Sequence, residues 1–255
     1  MSDYSPSPNR MDSPRASPAG KGVHRAAGPG AAIFTLLVIL SGLLVGHYVR
    51  LLPPIGSAEA ILIDGLFQSM LGIAAAIFLL VLGALLYALV RFRRRPGHQG
   101  EGIPIRGSNR LELAWTFMPA LIVFWLVAYS SQVLFRIHDH REDPLVVRVT
   151  ARQFVWQFEY PAYNISSPEL HVPAGSPVQL ELVAQDVIHS LWVPAFRLKQ
   201  DALPQISTML SFTATLPGEF PIVCAELCGA GHAVMRSLVV VHPPEDFSRW
   251  LEEQG

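Results

Sequence analysis

Three stretches of the chain are apolar with almost no charge, and the remainder alternates. Residues 31–49 carry no acidic or basic side chain except His47, while 66–90 and 113–134 carry none at all. A helix needs about 20 apolar residues to cross a bilayer. The second and third stretches therefore predict a membrane α-helical hairpin over residues 60–136. The first, residues 31–49, follows basic residues and reads as a signal anchor or a signal peptide. Ala58-Glu59-Ala60 offers a small-residue cleavage pattern, but it lies well past the apolar run, which favours a retained third helix. Residues 1–30 are rich in Ser, Pro, Gly and Ala and hold nothing that packs a core, so a disordered tail is expected.

From about residue 140 to 255 the pattern changes to short β-type runs. Residues 145–150, 154–160, 178–183, 208–215 and 236–241 are apolar, aromatic or alternating with period two. Pro173-Ala174-Gly175, Pro217-Gly218 and Pro243-Pro244 punctuate them. Short strands at this spacing predict an all-β sandwich or barrel. Pro244 to Glu253 predicts a closing helix, with Pro and acids at its start and Phe247, Trp250 and Leu251 turned inward.

Composition agrees with a membrane protein. The 255 residues are 51% hydrophobic and only 15% charged, against about 25% charged in soluble domains. Mean hydropathy is +0.34. A net charge of -1 argues against nucleic acid as a partner. Arg91, Arg93, Arg94, Arg95, Arg106 and Arg110 crowd the loop between the second and third apolar stretches. By the positive-inside rule that loop is cytoplasmic, and the β domain lies on the outer side.

The chemistry concentrates in Cys224-Ala225-Glu226-Leu227-Cys228-Gly229-Ala230-Gly231-His232-Ala233-Val234-Met235, which holds both cysteines of the chain. Thiolate, imidazole and thioether together suit copper, whereas zinc has little use for Met. A second thiolate allows two sulfurs to bridge two copper ions. A disulfide is the plain alternative, but the spacing is short and it leaves His232 and Met235 without a role. Four ligands on one loop do not enclose two metals, so a further imidazole is needed. His189, after the 180–188 strand-like run, is the best candidate, and His171 is its competitor. His138 and His140 sit beside the membrane exit among acids.

Ala184 to Asp201 (AQDVIHSLWVPAFRLKQD), taken with Cys224 to Met235, resembles subunit II of the haem-copper cytochrome c oxidases. A helix opening Leu111-Glu112-Leu113-Ala114-Trp115-Thr116-Phe117-Met118-Pro119 extends the likeness, which runs from about Asp64 to the C-terminus. The resemblance implies a membrane hairpin followed by a cupredoxin-like CuA domain. It implies an aa3-type oxidase in which this chain accepts electrons from a soluble donor. The electrons pass to haem in catalytic subunit I, where oxygen is reduced to water and protons are pumped. Cys224 and Cys228 would bridge the two coppers, with His189, His232, Met235 and the Glu226 carbonyl completing them. The Glu226 carboxylate would reach a magnesium ion shared with the catalytic subunit, with Lys199 and Asp201 near that interface. Glu112 matches a carboxylate at the mouth of a proton-uptake path; its alternative is a helix-start acid favoured by the dipole.

Many members of that family carry Trp two positions before the Trp156 equivalent as an electron relay. Here the position is Phe154. Both aromatics are candidates for electron entrance or, alternatively, plain sandwich aromatics. Phe154 and the run 51–67 are similar to cyanobacterial-type members. That implies a c-type cytochrome or plastocyanin as donor, a plasma or thylakoid membrane, and a periplasmic or lumenal copper domain. Two other readings stand beside this one: the electron-accepting subunit of a nitric oxide reductase, and a membrane-anchored copper-binding module. The pattern Glu112 to Pro119 argues against the last, because a simple anchor needs no such motif.

Overall fold

A computed structural model describes residues 29–49, 51–93, 96–97, 107–137 and 143–254. The expected tail up to residue 28, the histidines His138 and His140, and Arg94, Arg95 and Arg106 lie outside the described residues.

Three apolar helices come first: α1 (Pro29–Tyr48), α2 (Ala58–Arg91) and α3 (Asn109–Ile137). Two of them, α2 and α3, are long and apolar enough to cross a membrane. Helix α1 packs closely on α2, where a Cβ on Gly42 or Gly46 would come within 2.6 Å of α2. Helix α2 begins earlier than its apolar run, at Ala58. Ser57 explains the early start: its side chain accepts from Ala60 N–H and caps the first turn. At 34 residues the helix is about 50 Å long against a hydrocarbon core of about 30 Å. Its first turns therefore stand outside the apolar layer, where Glu59 and Asp64 are buried against the β domain.

That domain is a cupredoxin-like sandwich of two five-stranded sheets. Its strands are β1 (Leu145–Arg152), β2 (Val155–Tyr160), β3 (Ile165–Ser167), β4 (Leu170–Pro173), β5 (Pro177–Ala184), β6 (His189–Val193), β7 (Leu198–Ala202), β8 (Thr208–Thr213), β9 (Gly218–Cys224) and β10 (Arg236–His242). Helix α4 (Pro244–Gln254) closes the chain. One sheet has the order β3-β2-β1-β5-β8 and the other β4-β10-β9-β6-β7. Strand β5 shows the mechanism plainly. Val178, Leu180, Leu182 and Ala184 are buried and alternate with partly exposed residues, so one face meets the core and the other water. Phe247 is buried on the inner face of α4, with Trp250 and Leu251 packed on the core.

Two details differ from the sequence expectation. His189 does not end the strand before it; it opens β6, in the opposite sheet. The chain turns between the sheets at Asp186, whose carboxylate accepts from Val187 N–H and from Gln153 N–H at 2.7 Å each. A local hydrogen bond from Asp to the next residues is a turn signal that an apolar run on either side conceals. Strands β3, β6, β7 and β9 lie outside the predicted runs, since they are short or interrupted by Pro and charge.

Candidate metal centre

The centre forms at one end of the second sheet. Cys224 is the last residue of β9, Arg236 the first of β10, and the ligand-rich loop runs between them. Strand β6 pairs with β9 so that Leu191 faces Cys224, which brings His189 to the same end. Ala225 N–H donates to Ser190 O at 2.8 Å, and Cys224 N–H to Met235 O at 3.1 Å, closing the loop at both ends.

Cys224 Sγ stands 3.8 Å from Cys228 Sγ, far beyond the S–S bond length of about 2.05 Å. Both thiols are free and buried. His189 Nδ1 lies 3.9 Å from Cys224 Sγ, and the Glu226 carbonyl 3.3 Å from it. His232 Nδ1 and Met235 Sδ each lie 3.8 Å from Cys228 Sγ. Among the described residues, His189, Cys224 and Cys228 form a buried group whose ligand atoms all fall within 4.8 Å of one another. His189 and Met235 are fully buried, His232 partly, while the Glu226 residue is exposed. Burial and contact with Cys224 push the Cys228 thiol up to about 11. A metal would have to displace that proton to take the sulfur as thiolate.

The structure separates the competing histidine from this group. His171 lies on β4, stacked on Trp250 with ring centroids 4.2 Å apart, and its Nδ1 is 2.9 Å from His242 Nε2. Asp186, not singled out from the sequence, bonds to His189 Nε2 at 2.8 Å. Gln153 is a second such residue: its side chain donates to Cys228 O at 2.6 Å while its main-chain N–H donates to Asp186. Neither has a sequence signature beyond the proximity of Asp186 to His189.

Trp156 is buried, edge-on to His189 at 6.1 Å between centroids. Phe154 is half-buried and lies against the ligand loop, so close that a Cβ on Gly231 would come within 2.4 Å of its ring. Lys199 and Asp201 form a network with Ser190, the neighbour of His189: Ser190 Oγ donates to Asp201 at 2.7 Å and Lys199 Nζ at 3.1 Å. These bonds hold the Asp201 carboxyl below its ordinary value. Glu112 lies far along the chain from this group, exposed in the first turn of α3.

A family model for the transmembrane domain of cytochrome c oxidase subunit II matches residues 46–133, and one for its periplasmic domain matches 166–242. Cytochrome c oxidase subunit 2 of Thermostichus vulcanus is 40% identical, the match covering 88% of this chain and 85% of that protein. That of Synechocystis sp. is 37% identical, covering 88% and 82%. The chain belongs to the cytochrome c oxidase subunit II family. It is thus a membrane-bound component of a haem-copper oxidase, an oxidoreductase complex, with a transmembrane and a periplasmic domain. Among solved structures, the periplasmic domain of subunit II of Bradyrhizobium japonicum cytochrome oxidase is similar at 28% identity and TM-score 0.43, over 45% of this chain and 95% of that one.

Proposed function

We propose that this chain is the electron-accepting subunit of an aa3-type cytochrome c oxidase. In this reading Cys224, Cys228, His189, His232, Met235 and the Glu226 carbonyl hold a two-copper CuA centre. The observation that carries it is the pair of free, buried sulfurs 3.8 Å apart, flanked by two imidazoles and a thioether. The donor set fits copper: soft sulfur and imidazole with no oxygen-rich shell. Two copper ions bound there supply a carrier that takes up and releases one electron at a time.

The residues of the chain provide the rest. Strands β6 and β9 carry His189 and Cys224, and β9 and β10 anchor the two ends of the loop that carries the other ligands. Asp186 orients His189. Leu227 and Val234, 80% and 76% exposed, form an apolar rim on the ligand loop against which a soluble donor packs, a c-type cytochrome or plastocyanin. Phe154 and Trp156 line the electron entrance. Glu226, an exposed residue, faces catalytic subunit I and a shared magnesium ion in this reading, with Asp201 and Lys199 near the same interface. Glu112 stands at the mouth of a proton path on the cytoplasmic side. The domain assignment follows: tail 1–30, anchor 31–49, hairpin 60–136 and copper domain 140–255, in a plasma or thylakoid membrane with the copper domain periplasmic or lumenal.

Copper loading of the isolated complex tests this reading. The expected result is a mixed-valence two-copper EPR signal that Cys224→Ser abolishes, with oxygen consumed in turnover. A single-copper signal indifferent to Cys224→Ser overturns the site. Turnover of nitric oxide in place of oxygen overturns the oxidase assignment.

A further inference from the structure

We propose that Arg197 is a positioning residue that bolts the β-sandwich to the membrane helix α2 and thereby sets where the copper domain sits relative to the catalytic subunit. The proposal rests on the reading of the sandwich as the electron-accepting domain.

Arg197 follows the short 3-10 turn Pro194–Phe196 that ends β6, and its backbone is left-handed at φ 60. That conformation disfavours residues with a Cβ and suits glycine. Such a backbone persists only where the surrounding structure holds it. The guanidinium is 6% exposed and forms a two-pronged pair with Asp64 of α2, Nε to Oδ1 at 2.8 Å and Nη2 to Oδ2 at 3.0 Å. Its remaining donors go to Pro194 O and Ala195 O at 2.8 and 3.2 Å, and to Pro53 O at 2.6 Å. All five N–H groups are used, as a planar guanidinium allows and an ammonium does not. They join three separate pieces: the turn after β6, the segment entering α2, and α2 itself.

The surrounding contacts run the same way. Gly56 N–H donates to Ala195 O at 3.0 Å, and Thr215 N–H to Gly56 O at 2.9 Å. Ser57 Oγ donates to Phe196 O at 3.2 Å, and Thr213 N–H to Glu59 Oε2 at 3.1 Å. A Cβ on Gly56 would meet the Phe196 ring at 2.6 Å. The joint is thus held by many hydrogen bonds and is closely packed where Gly56 meets Phe196. Strand β6 connects it to the metal centre, with His189 at one end and Pro194 just past the other. A shift at the joint is transmitted through five strand residues to a ligand. Electron transfer between fixed centres slows as the distance between them grows, so a sandwich that shifts on its helix passes electrons more slowly.

The test uses the assembled oxidase carrying Arg197→Gln, Arg197→Lys or Arg197→Gly. The glycine variant relieves the backbone while deleting the side chain, so its folding is protected. Hydrogen exchange and the rate of electron passage from the sandwich to haem are measured beside the copper EPR signal. The expected result is faster exchange at Gly56, Thr213 and Thr215 with Leu180 and Leu182 unchanged. The copper signal is retained and electron passage slows, least in the lysine variant. Unchanged joint amides overturn the clamp. An unchanged electron-passage rate with loosened amides overturns the positioning role. Loss of the copper signal in the variants shows that Arg197 serves the site itself and also overturns it. If the parent complex lacks a copper signal, the functional reading fails, while the exchange measurement still decides the clamp.

Discussion

The carboxylate of Asp186 sits 2.8 Å from His189 Nε2, on the opposite side of the ring from Cys224 Sγ, which lies 3.9 Å from Nδ1. Partial burial raises the Asp186 carboxyl. The hydrogen bonds from Gln153 N–H, His189 and Val187 N–H outweigh that and hold it below its ordinary value. An ionised carboxylate accepts, so Nε2 carries the proton and Nδ1 presents its lone pair towards the sulfurs. Replacing Asp186 with Ala is therefore expected to weaken copper binding by about 10- to 100-fold. Competition against a chelator of known affinity measures this, and unchanged affinity would show that the sheet alone orients the ring.

Met235 serves packing and chemistry at once. It is fully buried and touches Cys228 through sulfur. Met235→Leu keeps most of its volume, so the stability loss is expected to stay below about 1.5 kcal/mol. The reduction potential of the loaded centre should nonetheless shift, because the thioether is gone. A thermal melt read beside a redox titration separates the two effects; a parallel loss of fold and copper would assign Met235 to packing alone.

Gly231 is the position at which the ligand loop meets Phe154. Alanine there cannot keep the present geometry, since its Cβ would fall 2.4 Å from the ring. Either the ring or the loop must move. Gly231→Ala is expected to cost about 1–3 kcal/mol, as overpacking does, and to alter the optical spectrum of the copper-loaded centre through His232. An unchanged spectrum at unchanged stability would show that Phe154 swings aside freely.

The stack of Trp250, His171 and His242 predicts an acid response in α4. Burial, and then the neighbouring His242, push His171 down to about 4; burial also lowers His242, against the opposing Asp246. Glu169 stands 3.8 Å from the other His171 nitrogen. The folded value lies below the ordinary histidine value of about 6.5, so between those values the unfolded chain binds more protons. The histidine contribution is therefore expected to be intact above about pH 6.5 and to be lost as pH drops towards 4; Asp186 and Asp201, held low in the fold, add a separate loss at more acid pH. Trp250 fluorescence during denaturant unfolding across that range reports it. His171→Phe should flatten the profile, and an equally steep profile in that variant would assign the response to other groups.

Much of this protein is legible in its sequence because the signals are local. Charge-free runs specify membrane helices, since the bilayer penalises every charge. Strict alternation in 178–183 specifies a strand with one buried face. Cys, His and Met within one loop specify soft-metal chemistry without any fold. Sequence ranked His189 ahead of His171, and the tertiary structure supplies the reason, because β6 pairs with β9 whereas β4 carries His171 to the other edge of β10. Tertiary structure also brought Asp186, Gln153 and Arg197 to their hydrogen-bond partners. Their partners lie 33, 75 and 133 positions away in sequence for Gln153–Asp186, Gln153–Cys228 and Arg197–Asp64. Periodicity reports only which face of an element is buried. It carries no information about which distant polar group a side chain meets, and that depends on how the two sheets and the membrane helix are packed.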